Sequence, residues 1–404
     1  MHDAEDVTGA VEDIMERNSE GMNTVIEQNK AWIDSTWEKI DQKLSRTAVK
    51  SRDKLPFITR NGIHDDQAKE NISWWTNGFW GGMMWLMYLA TGNEEYRKTA
   101  ERSEELLDGA LKDYKTLHHD VGFMWHLTSS ASYRITGKKA SCNRSLYAAA
   151  SLFSRYNVDG DFIRAWNDWG EDYDRYSIID CLMNLALLYW ASEEIGDDRF
   201  KKIAMRHMDM SLRDHIRPDG SINHIVEHEV DKVGVRRVLA GQGYSEDSCW
   251  SRGLSFAVYG SVISYIHTGR KEYLDAARKT ADYFVEQCKK TGYLPLVDFC
   301  APETPVYYDS SAGSCAACGM LEIAKYVPEE DAERYTREAI NILKACDEHF
   351  CDYDGDHDVL VLMASGRYPH NEEEMKQIHV SYIWGDFFFV EAMFKLKGNG
   401  FLIW

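Results

Sequence analysis

The chain has 404 residues, and its 46 Lys plus Arg and 66 Asp plus Glu give a formal net charge of −20. Nucleic acids and anionic membranes bind to basic surfaces, so this charge argues against both as partners. Hydrophobic residues make up 44% of the chain and it has 7 prolines, a composition that favours a globular protein with long helices.

The start of the chain lacks the features of a secretory signal or a membrane anchor. Residues 1–6 are acidic, whereas a signal peptide begins with a basic and then an apolar segment. The longest apolar stretch, 181–191, is interrupted by Asn184 and is shorter than the roughly 20 residues of a membrane span. Nine scattered cysteines are typical of reduced thiols. We therefore expect a cytoplasmic protein without a membrane partner.

A short pattern recurs along the chain: glycine, three residues, an aromatic residue, three residues and alanine. Complete copies begin at Gly92, Gly196 and Gly269, each after an apolar segment. Glycine ends a helix in a left-handed conformation, and the aromatic residue and alanine share one face of the next helix. The unit is a helical hairpin, and its unequal spacing favours a closed ring over a regular solenoid. We predict an all-α domain spanning 1–404, with residues 1–50 as a helical N-terminal arm.

Asp180 is the first candidate for chemistry. It lies in the sequence SIIDCLMN at 177–184, inside an apolar helical stretch. Apolar neighbours desolvate a carboxylate, which raises its pKa and suits it to act as a general acid. The alternative is a structural aspartate that caps a helix or bonds to a neighbouring loop.

Asp120 supplies a second carboxylate, in the sequence HHDVGF at 118–123. Two carboxylates in different environments are the usual equipment for cleaving a glycosidic bond. Asp-x-Gly is also common in ordinary turns, so a purely structural interpretation is equally open here.

Arg252 lies in the sequence WSRG at 250–253, shortly after Gln242. Arginine binds carboxylates through paired hydrogen bonds, and an aromatic side chain such as Trp250 can stack on a sugar ring. The alternative is that Arg252 caps a helix and Trp250 fills the core. Trp74 belongs to an aromatic cluster of which most members are expected in the core.

The sequence HIVEH at 224–228 matches a zinc-protease motif. That motif works on a helix, where residues four apart share a face. Here it follows a turn and contains β-branched residues, which favour an extended segment. Cys315 and Cys318 lie in a small-residue helix start without a second pair at metal spacing. We therefore predict no metal and no other cofactor.

Several segments, taken together and in this order, resemble the unsaturated glucuronyl hydrolases. They are WWTNGFW at 74–80, HHDVGF at 118–123, YSIIDCLMN at 176–184, GQGY at 241–244, DSCWSRG at 247–253, DSSA at 309–312 and WGDFFF at 384–389. The resemblance covers roughly residues 70 to 390. It implies a fold of six helical hairpins, an (α/α)6 barrel.

The resemblance also implies an unusual reaction. These enzymes act on products of polysaccharide lyases, whose terminal sugar has a C4=C5 double bond conjugated to its carboxylate. They hydrate that bond, and the resulting hemiketal opens and releases the remaining sugar. The expected partner is a di- or oligosaccharide ending in an unsaturated uronate, derived from chondroitin, hyaluronan or heparin. No metal takes part.

Residue by residue, the resemblance makes Asp180 the proton donor that later activates water, and Asp120 the second essential carboxylate. The expected uronate-binding residues are His224, Gln242, Trp250, Arg252, His119, Trp74 and Trp166. The alternatives are an unsaturated rhamnogalacturonyl hydrolase and, in another class, an α/α-barrel sugar epimerase. We expect a monomer or a weak homo-oligomer. Residues 365–376, which include Arg367 and Lys376, form a candidate loop for reading a sulfate.

Overall fold

Apolar and amphipathic helices alternate along the chain in the computed structural model, which describes residues 20–167 and 173–404. In chain order, the main helices are α1 Lys30–Lys50, α2 Phe79–Thr91, α3 Glu94–Leu107, α4 Ala131–Thr136, α5 Lys139–Phe153, α6 Cys181–Ile195, α7 Arg199–Asp214, α8 Ser251–Thr268, α9 Lys271–Lys289, α10 Ser310–Ile323, α11 Glu329–Phe350 and α12 Ile383–Leu396. A π-helical segment, Gly122–Ser130, leads directly into α4.

The even-numbered helices form an inner ring and the odd-numbered helices an outer one. Each inner helix packs on the next, with the π-helical segment before α4 making the contact to α6, and α12 closes the ring on α2. Every residue of α10 and α12 is buried, whereas α7 buries one face that includes Phe200 and Ala204. Within the described part of the chain these are six inner and six outer helices. The predicted all-α fold, an (α/α)6 barrel, is confirmed.

The recurring glycines have the predicted role. Gly92, Gly196 and Gly269 follow α2, α6 and α8 and have φ angles of 71°, 67° and 69°. Each donates its backbone N–H to the carbonyl four residues earlier. A left-handed residue ends an inner helix and turns the chain outward, and a side chain there would be strained.

The N-terminal helix α1, the described part of the expected helical arm, packs on the barrel. Ile33, Ile40 and Leu44 are buried, and the Thr99 hydroxyl donates to the Ala48 carbonyl. The helix lies against α3 and α12, so it takes the outer position beside the last inner helix. Residues 20–28 are also helical; residues 1–19 of the expected arm lie outside the described residues.

Short strands lie in the loops that precede the inner helices. They are β1 Thr59–Arg60, β2 Ile63–His64, β3 Tyr156–Asn157, β4 Phe162–Ile163, β5 Tyr176–Ile178, β6 Ile225–His228 and β7 Val235–Leu239. All pairings are antiparallel, and β5, β6 and β7 form a three-stranded sheet. This sheet lies at the rim where the inner helices begin.

No helix among the described residues is long and apolar enough to span a membrane. All nine cysteines are free thiols, as the sequence indicates. Cys315 and Cys318 are buried within α10. A Cβ at Gly319 in the same helix would lie 3.0 Å from the Tyr259 Cα, so the small residues allow α10 to approach α8 closely.

A buried ion cluster joins two inner helices. The Lys395 Nζ lies 2.6 Å from the Glu322 Oε1 and 3.4 Å from the Glu391 Oε1. Burial by itself lowers the pKa of Lys395, but the two carboxylates outweigh it and hold that pKa above its usual value. The lysine therefore stays charged between α10 and α12.

Replacing Lys395 by Met is expected to lower the free energy of unfolding by about 3–5 kcal/mol. Buried Glu391 loses its cationic partner, and buried Glu322 keeps only its ion pair with Lys325. Urea unfolding followed by circular dichroism measures the change. Lys397, whose partner Asp34 is partly exposed, is the matched control; Lys397→Met should cost about 1 kcal/mol or less. Equal losses in the two variants would show that the buried cluster does not stabilise the barrel.

Candidate active site

The sheet at the rim brings Asp180 beside His224. Strand β5 pairs with β6 so that Ile178 lies opposite Ile225, and the Ile179 N–H donates to the His224 carbonyl over 3.0 Å. Asp180 follows immediately, at the N-terminus of α6. Its Oδ1 lies 3.6 Å from the His224 Nε2. Two residues 44 positions apart in the sequence thus meet at one point.

The Asp180 side chain does not cap the helix that it precedes. Its Oδ1 is buried and has no hydrogen-bond partner among the described residues. A buried polar atom without a partner is costly, and such atoms are frequent at functional sites. The structural alternative for Asp180, a cap or a loop contact, therefore does not account for its position.

His224 is held from its other ring nitrogen. Its Nδ1 lies 3.0 Å from both the Ala240 carbonyl oxygen and the Gln242 backbone nitrogen. When Nδ1 accepts from the Gln242 N–H, the ring proton is on Nε2 and faces Asp180. Gly241 makes this approach possible: its φ is +59°, and a Cβ there would lie 2.4 Å from the Nδ1. Gln242 is half-buried beside His224.

Asp120 lies within a compact group of polar side chains. Its Oδ2 is 3.1 Å from the His118 Nδ1 and 3.3 Å from the His119 Nε2. Its Oδ1 accepts a hydrogen bond of 3.2 Å from the Asn184 amide. The π-helical segment begins two residues later. π-Helical turns are rare and often mark functional sites.

The surroundings of Asp120 keep it negatively charged. Burial alone raises the pKa of this carboxyl, but His119, His118 and the Asn184 amide together hold it below its ordinary value. Burial lowers the pKa of His119 to about 4, so this imidazole is neutral near pH 7. The site thus presents one ionised carboxylate next to a neutral hydrogen-bond donor.

Asn184 connects the two aspartates, a role that the sequence analysis did not assign. Its amide nitrogen donates to Asp120 Oδ1 and lies 3.3 Å from the Asp180 carbonyl oxygen. Its oxygen accepts from the Phe123 N–H over 2.8 Å. A Cβ at Gly122 would lie 2.7 Å from the Asn184 Cα, so only glycine allows this approach. A buried asparagine one turn after Asp180 was the available signal.

Arg252 and Trp250 extend the site from His224. The Trp250 ring lies 4.2 Å from the His224 ring, and the Arg252 guanidinium lies over the rings of Trp250 and Trp384 at 4.6 and 4.9 Å. Both predicted residues are 1% exposed. The Trp250 Nε1 has no partner in the described chain. Trp250 therefore packs in the wall of the site and still offers a donor.

Most hydrogen-bond donors of Arg252 are used within the protein. Nη1 donates to the Asp309 carboxylate and to the Ser365 carbonyl, and Nη2 donates to the Gly366 carbonyl. Nε has no partner among the described residues. From the sequence, we expected a fork of donors that binds a substrate carboxylate. Nη1 and Nη2 instead bond to the carbonyls of residues 365–366, so only the Nε–H has no partner among the described residues.

Trp74 and Trp166 lie at a cleft of about 410 Å³ next to these residues, which we call the side cleft. Its lining residues are Asn71, Ser73, Trp74, Lys115, Thr116, His118, Trp166 and Asn167. The Trp166 ring is 6.3 Å from the His119 ring, edge to face. The nine residues predicted from sequence therefore lie along one rim, from Arg252 through Asp180 and Asp120 to the side cleft.

The zinc motif is not helical, as expected. Ile225–His228 is strand β6; His224 faces Asp180, whereas the His228 Nε2 lies 2.7 Å from the Ser177 hydroxyl. Among the described residues, His118, His119 and Asp120 offer three potential metal ligands within 4.8 Å of one another. Hydrogen bonds to Asp120 account for this grouping, and we assign no metal to it.

Comparison with known proteins identifies the relatives of this chain. It is 31% identical to the unsaturated glucuronyl hydrolase of Bacillus sp. (strain GL1), over 87% of this chain and 93% of that protein. It is 32% identical to the unsaturated chondroitin disaccharide hydrolase of Streptococcus pneumoniae (strain ATCC BAA-255 / R6), over 82% and 83%. No protein-family model matches the chain.

A solved structure of an unsaturated glucuronyl hydrolase has a similar fold. It superposes with a TM-score of 0.83 at 28% identity and covers 89% of this chain and 97% of its own. In that structure an Asp-to-Asn variant is combined with the oligosaccharide dGlcA-Glc-Rha-Glc. The Bacillus sp. enzyme is more than 30% identical to this chain over most of both proteins. This chain therefore belongs to the unsaturated glucuronyl hydrolases, a family of glycoside hydrolases.

Proposed function

We propose that this protein removes the terminal unsaturated glucuronate from lyase-generated glycosaminoglycan di- and oligosaccharides by hydrating the C4=C5 bond, with Asp180 as general acid and then base. The observation that carries the proposal is the buried Asp180 Oδ1, which has no hydrogen-bond partner among the described residues and lies 3.6 Å from the His224 Nε2. Its oxygen is available to a substrate in a place from which bulk water is largely excluded.

Asp180 performs both proton transfers in this scheme. It first donates a proton to C4, and the positive charge that develops at C5 is shared with the ring oxygen. A water molecule then adds to C5 and gives its proton to Asp180. The hemiketal opens to a C5 ketone, C1 becomes a hemiacetal of the leaving sugar, and its collapse releases that sugar. The Asp180 carboxyl group thereby returns to its protonated form at the end of each cycle.

Asp120 and His224 act on this reaction in different ways. Asp120 is ionised and is linked through the Asn184 amide to the main chain of Asp180. The negative charge of Asp120 stabilises the positive charge at C5 and the ring oxygen. His224 orients the Asp180 carboxyl through its Nε2. The histidine is itself fixed by the loop at 240–242.

The remaining predicted residues bind the uronate. The Trp250 Nε1 and the Arg252 Nε are buried donors without a protein partner among the described residues, and we assign them to the substrate carboxylate or hydroxyls. Gln242 is half-buried, and its backbone N–H contacts the His224 Nδ1; we assign its side-chain amide to the substrate as well. Trp74, Trp166 and His119 line the opposite end of the site, where aromatic faces stack on sugar rings.

We also propose that the chain is a single catalytic domain that acts in the cytoplasm as a monomer or weak homo-oligomer. Its core cluster includes residues from every inner helix and from α1, which supports a single folding unit.

Asp180→Asn is expected to lower kcat by about 10²–10⁴-fold, because an amide can neither donate nor accept the transferred proton. The assay follows the ultraviolet absorbance of the conjugated double bond in unsaturated chondroitin and hyaluronan disaccharides, sulfated and unsulfated. Asp159→Asn is the matched control, since Asp159 is exposed and is not one of the proposed site residues; it should keep wild-type activity.

Three outcomes of this assay separate the alternatives. Loss of absorbance that depends on Asp180 supports hydration and ranks the substrates. Folded wild-type protein that leaves every glycosaminoglycan disaccharide intact would point to unsaturated rhamnogalacturonides, which are tested next. An epimerase would work through histidine and would tolerate Asp180→Asn.

Asn184→Leu is expected to lower kcat by about 10–100-fold, because misplaced catalytic groups lose much of their effect. The Asn184 amide helps to hold the pKa of Asp120 below its usual value, so its loss raises that pKa. Activity that requires ionised Asp120 then begins to fall at a higher pH on the acid side. Wild-type and variant pH–rate profiles measure the shift. An unmoved acid limb with reduced kcat would mean that Asn184 acts only on packing.

Short substrates are expected to be degraded faster than long ones, because a chain with a net charge of −20 repels a long polyanion. The measurement compares kcat/KM for an unsaturated disaccharide and for long unsaturated chains at two salt concentrations. Added salt should narrow the difference by screening the repulsion. Equal or faster turnover of the long chains would contradict the expectation.

A further inference from the structure

Three cationic residues lie at or behind one wall of the side cleft, and the proposed mechanism does not use them. Lys115 lines the cleft, and Arg155 and Arg164 lie directly behind Asn167. Within the described chain, none of these three cations forms an ion pair with a carboxylate. Acidic residues outnumber basic ones in the chain, 66 to 46, so three cations without a carboxylate partner among the described residues are unexpected.

Asn167 connects the two arginines to the main chain of Lys115. Its side-chain oxygen accepts hydrogen bonds from the Arg155 Nη1 at 2.6 Å and from the Arg164 Nη2 at 3.5 Å. Its amide nitrogen donates to the Lys115 carbonyl over 2.8 Å. Two guanidinium groups thus converge on one neutral oxygen. A neutral acceptor satisfies hydrogen bonds but does not cancel the repulsion between like charges.

Arg155 shows this repulsion most clearly. Its side chain is 5% exposed, and its Nη2 has no partner among the described residues. Burial and the neighbouring Arg164 lower its pKa to about 10, but it remains protonated near neutral pH. The negative charge of Asp120 acts on Arg155 and raises its pKa, but less than burial lowers it. That carboxylate is hydrogen-bonded to Asn184 and the two histidines instead.

The cleft also has the other properties of a saccharide site. Its volume of about 410 Å³ is in the usual range for small-molecule sites. Two tryptophans offer faces for sugar rings, and Asn71, Ser73 and Thr116 offer polar groups. Asp180, His224, Trp250 and Arg252 are not among the lining residues. The cleft therefore lies beside the reacting centre, where the part of the substrate that does not react would extend.

We propose that Lys115, with Arg155 and Arg164 behind Asn167, forms an anion-binding subsite for a sulfate or carboxylate group on the leaving saccharide. The proposal rests on the hydrolase function proposed above and adds a specificity determinant to it. A sulfate would belong to the sugar next to the uronate, and a carboxylate to the sugar after that. Both are anions with several acceptor oxygens, which suit an ammonium group supported by two guanidinium groups.

The test compares wild-type protein with Lys115→Gln, Lys115→Arg and Lys112→Gln. Lys112 is an exposed lysine three residues away that does not line the cleft. Three unsaturated substrates are used: an unsulfated chondroitin disaccharide, a sulfated chondroitin disaccharide and an unsulfated hyaluronan tetrasaccharide. Two ratios are compared between variants. One is kcat/KM for the sulfated disaccharide divided by kcat/KM for the unsulfated disaccharide. The other is kcat/KM for the tetrasaccharide divided by kcat/KM for the unsulfated disaccharide.

Lys115→Gln is expected to lower one or both of these ratios by about 5-fold, mainly through KM, as one charge interaction is lost. Lys115→Arg keeps the positive charge and should keep both ratios near their wild-type values. Lys112→Gln should leave both ratios unchanged. A decrease confined to the sulfated disaccharide identifies a sulfate as the ligand, and one confined to the tetrasaccharide identifies a carboxylate.

Two results would overturn the proposal while the hydrolase function stands. One is an unchanged ratio for both substrates in Lys115→Gln; the other is an equal effect of Lys112→Gln. Wild-type protein that hydrates none of the three substrates would instead contradict the proposed function itself. The two failures are therefore separable in a single set of measurements.

Discussion

The site depends on one side chain, the amide of Asn184. It bonds to the Asp120 carboxylate and contacts the main chain of Asp180, while its oxygen accepts from the start of the π-helical segment. Two inner helices are thereby held together at the point where both aspartates emerge. Because the amide is buried and each of its polar atoms has a partner, neither helix can shift along the other without losing a hydrogen bond.

The other half of the rim is organised around a cation. The Arg252 guanidinium lies over Trp250 and Trp384 and bonds to Asp309 and to the carbonyls of residues 365–366. It connects the starts of three inner helices with a loop from another part of the chain. Such a residue both shapes the pocket wall and carries charge into it, so the binding site and the barrel are stabilised by the same contacts.

Local patterns made the hairpins predictable. A glycine that ends a helix and an aromatic–alanine pair on the next helix act within a few residues, so their effect can be recognised without a fold. The position of α1 could not be found in this way, because its outer place is decided by contacts with α3 and α12. Its amphipathic pattern is equally compatible with an arm. The support that Asn184 gives to Asp120 likewise joins residues 64 positions apart.

The sequence alone determined the helical class and the hairpin unit, since helix periodicity and chain reversal are local properties. The site residues were expected mainly from the resemblance of ordered motifs to a known family. Tertiary structure alone decided how those residues are used. It placed Asp180 against His224, directed the donors of Arg252 inward to Asp309, and set Arg155 and Arg164 behind Asn167, which lines the side cleft with Lys115. Distances, burial and electrostatic fields depend on closing the ring of helices, which brings distant parts of the chain together.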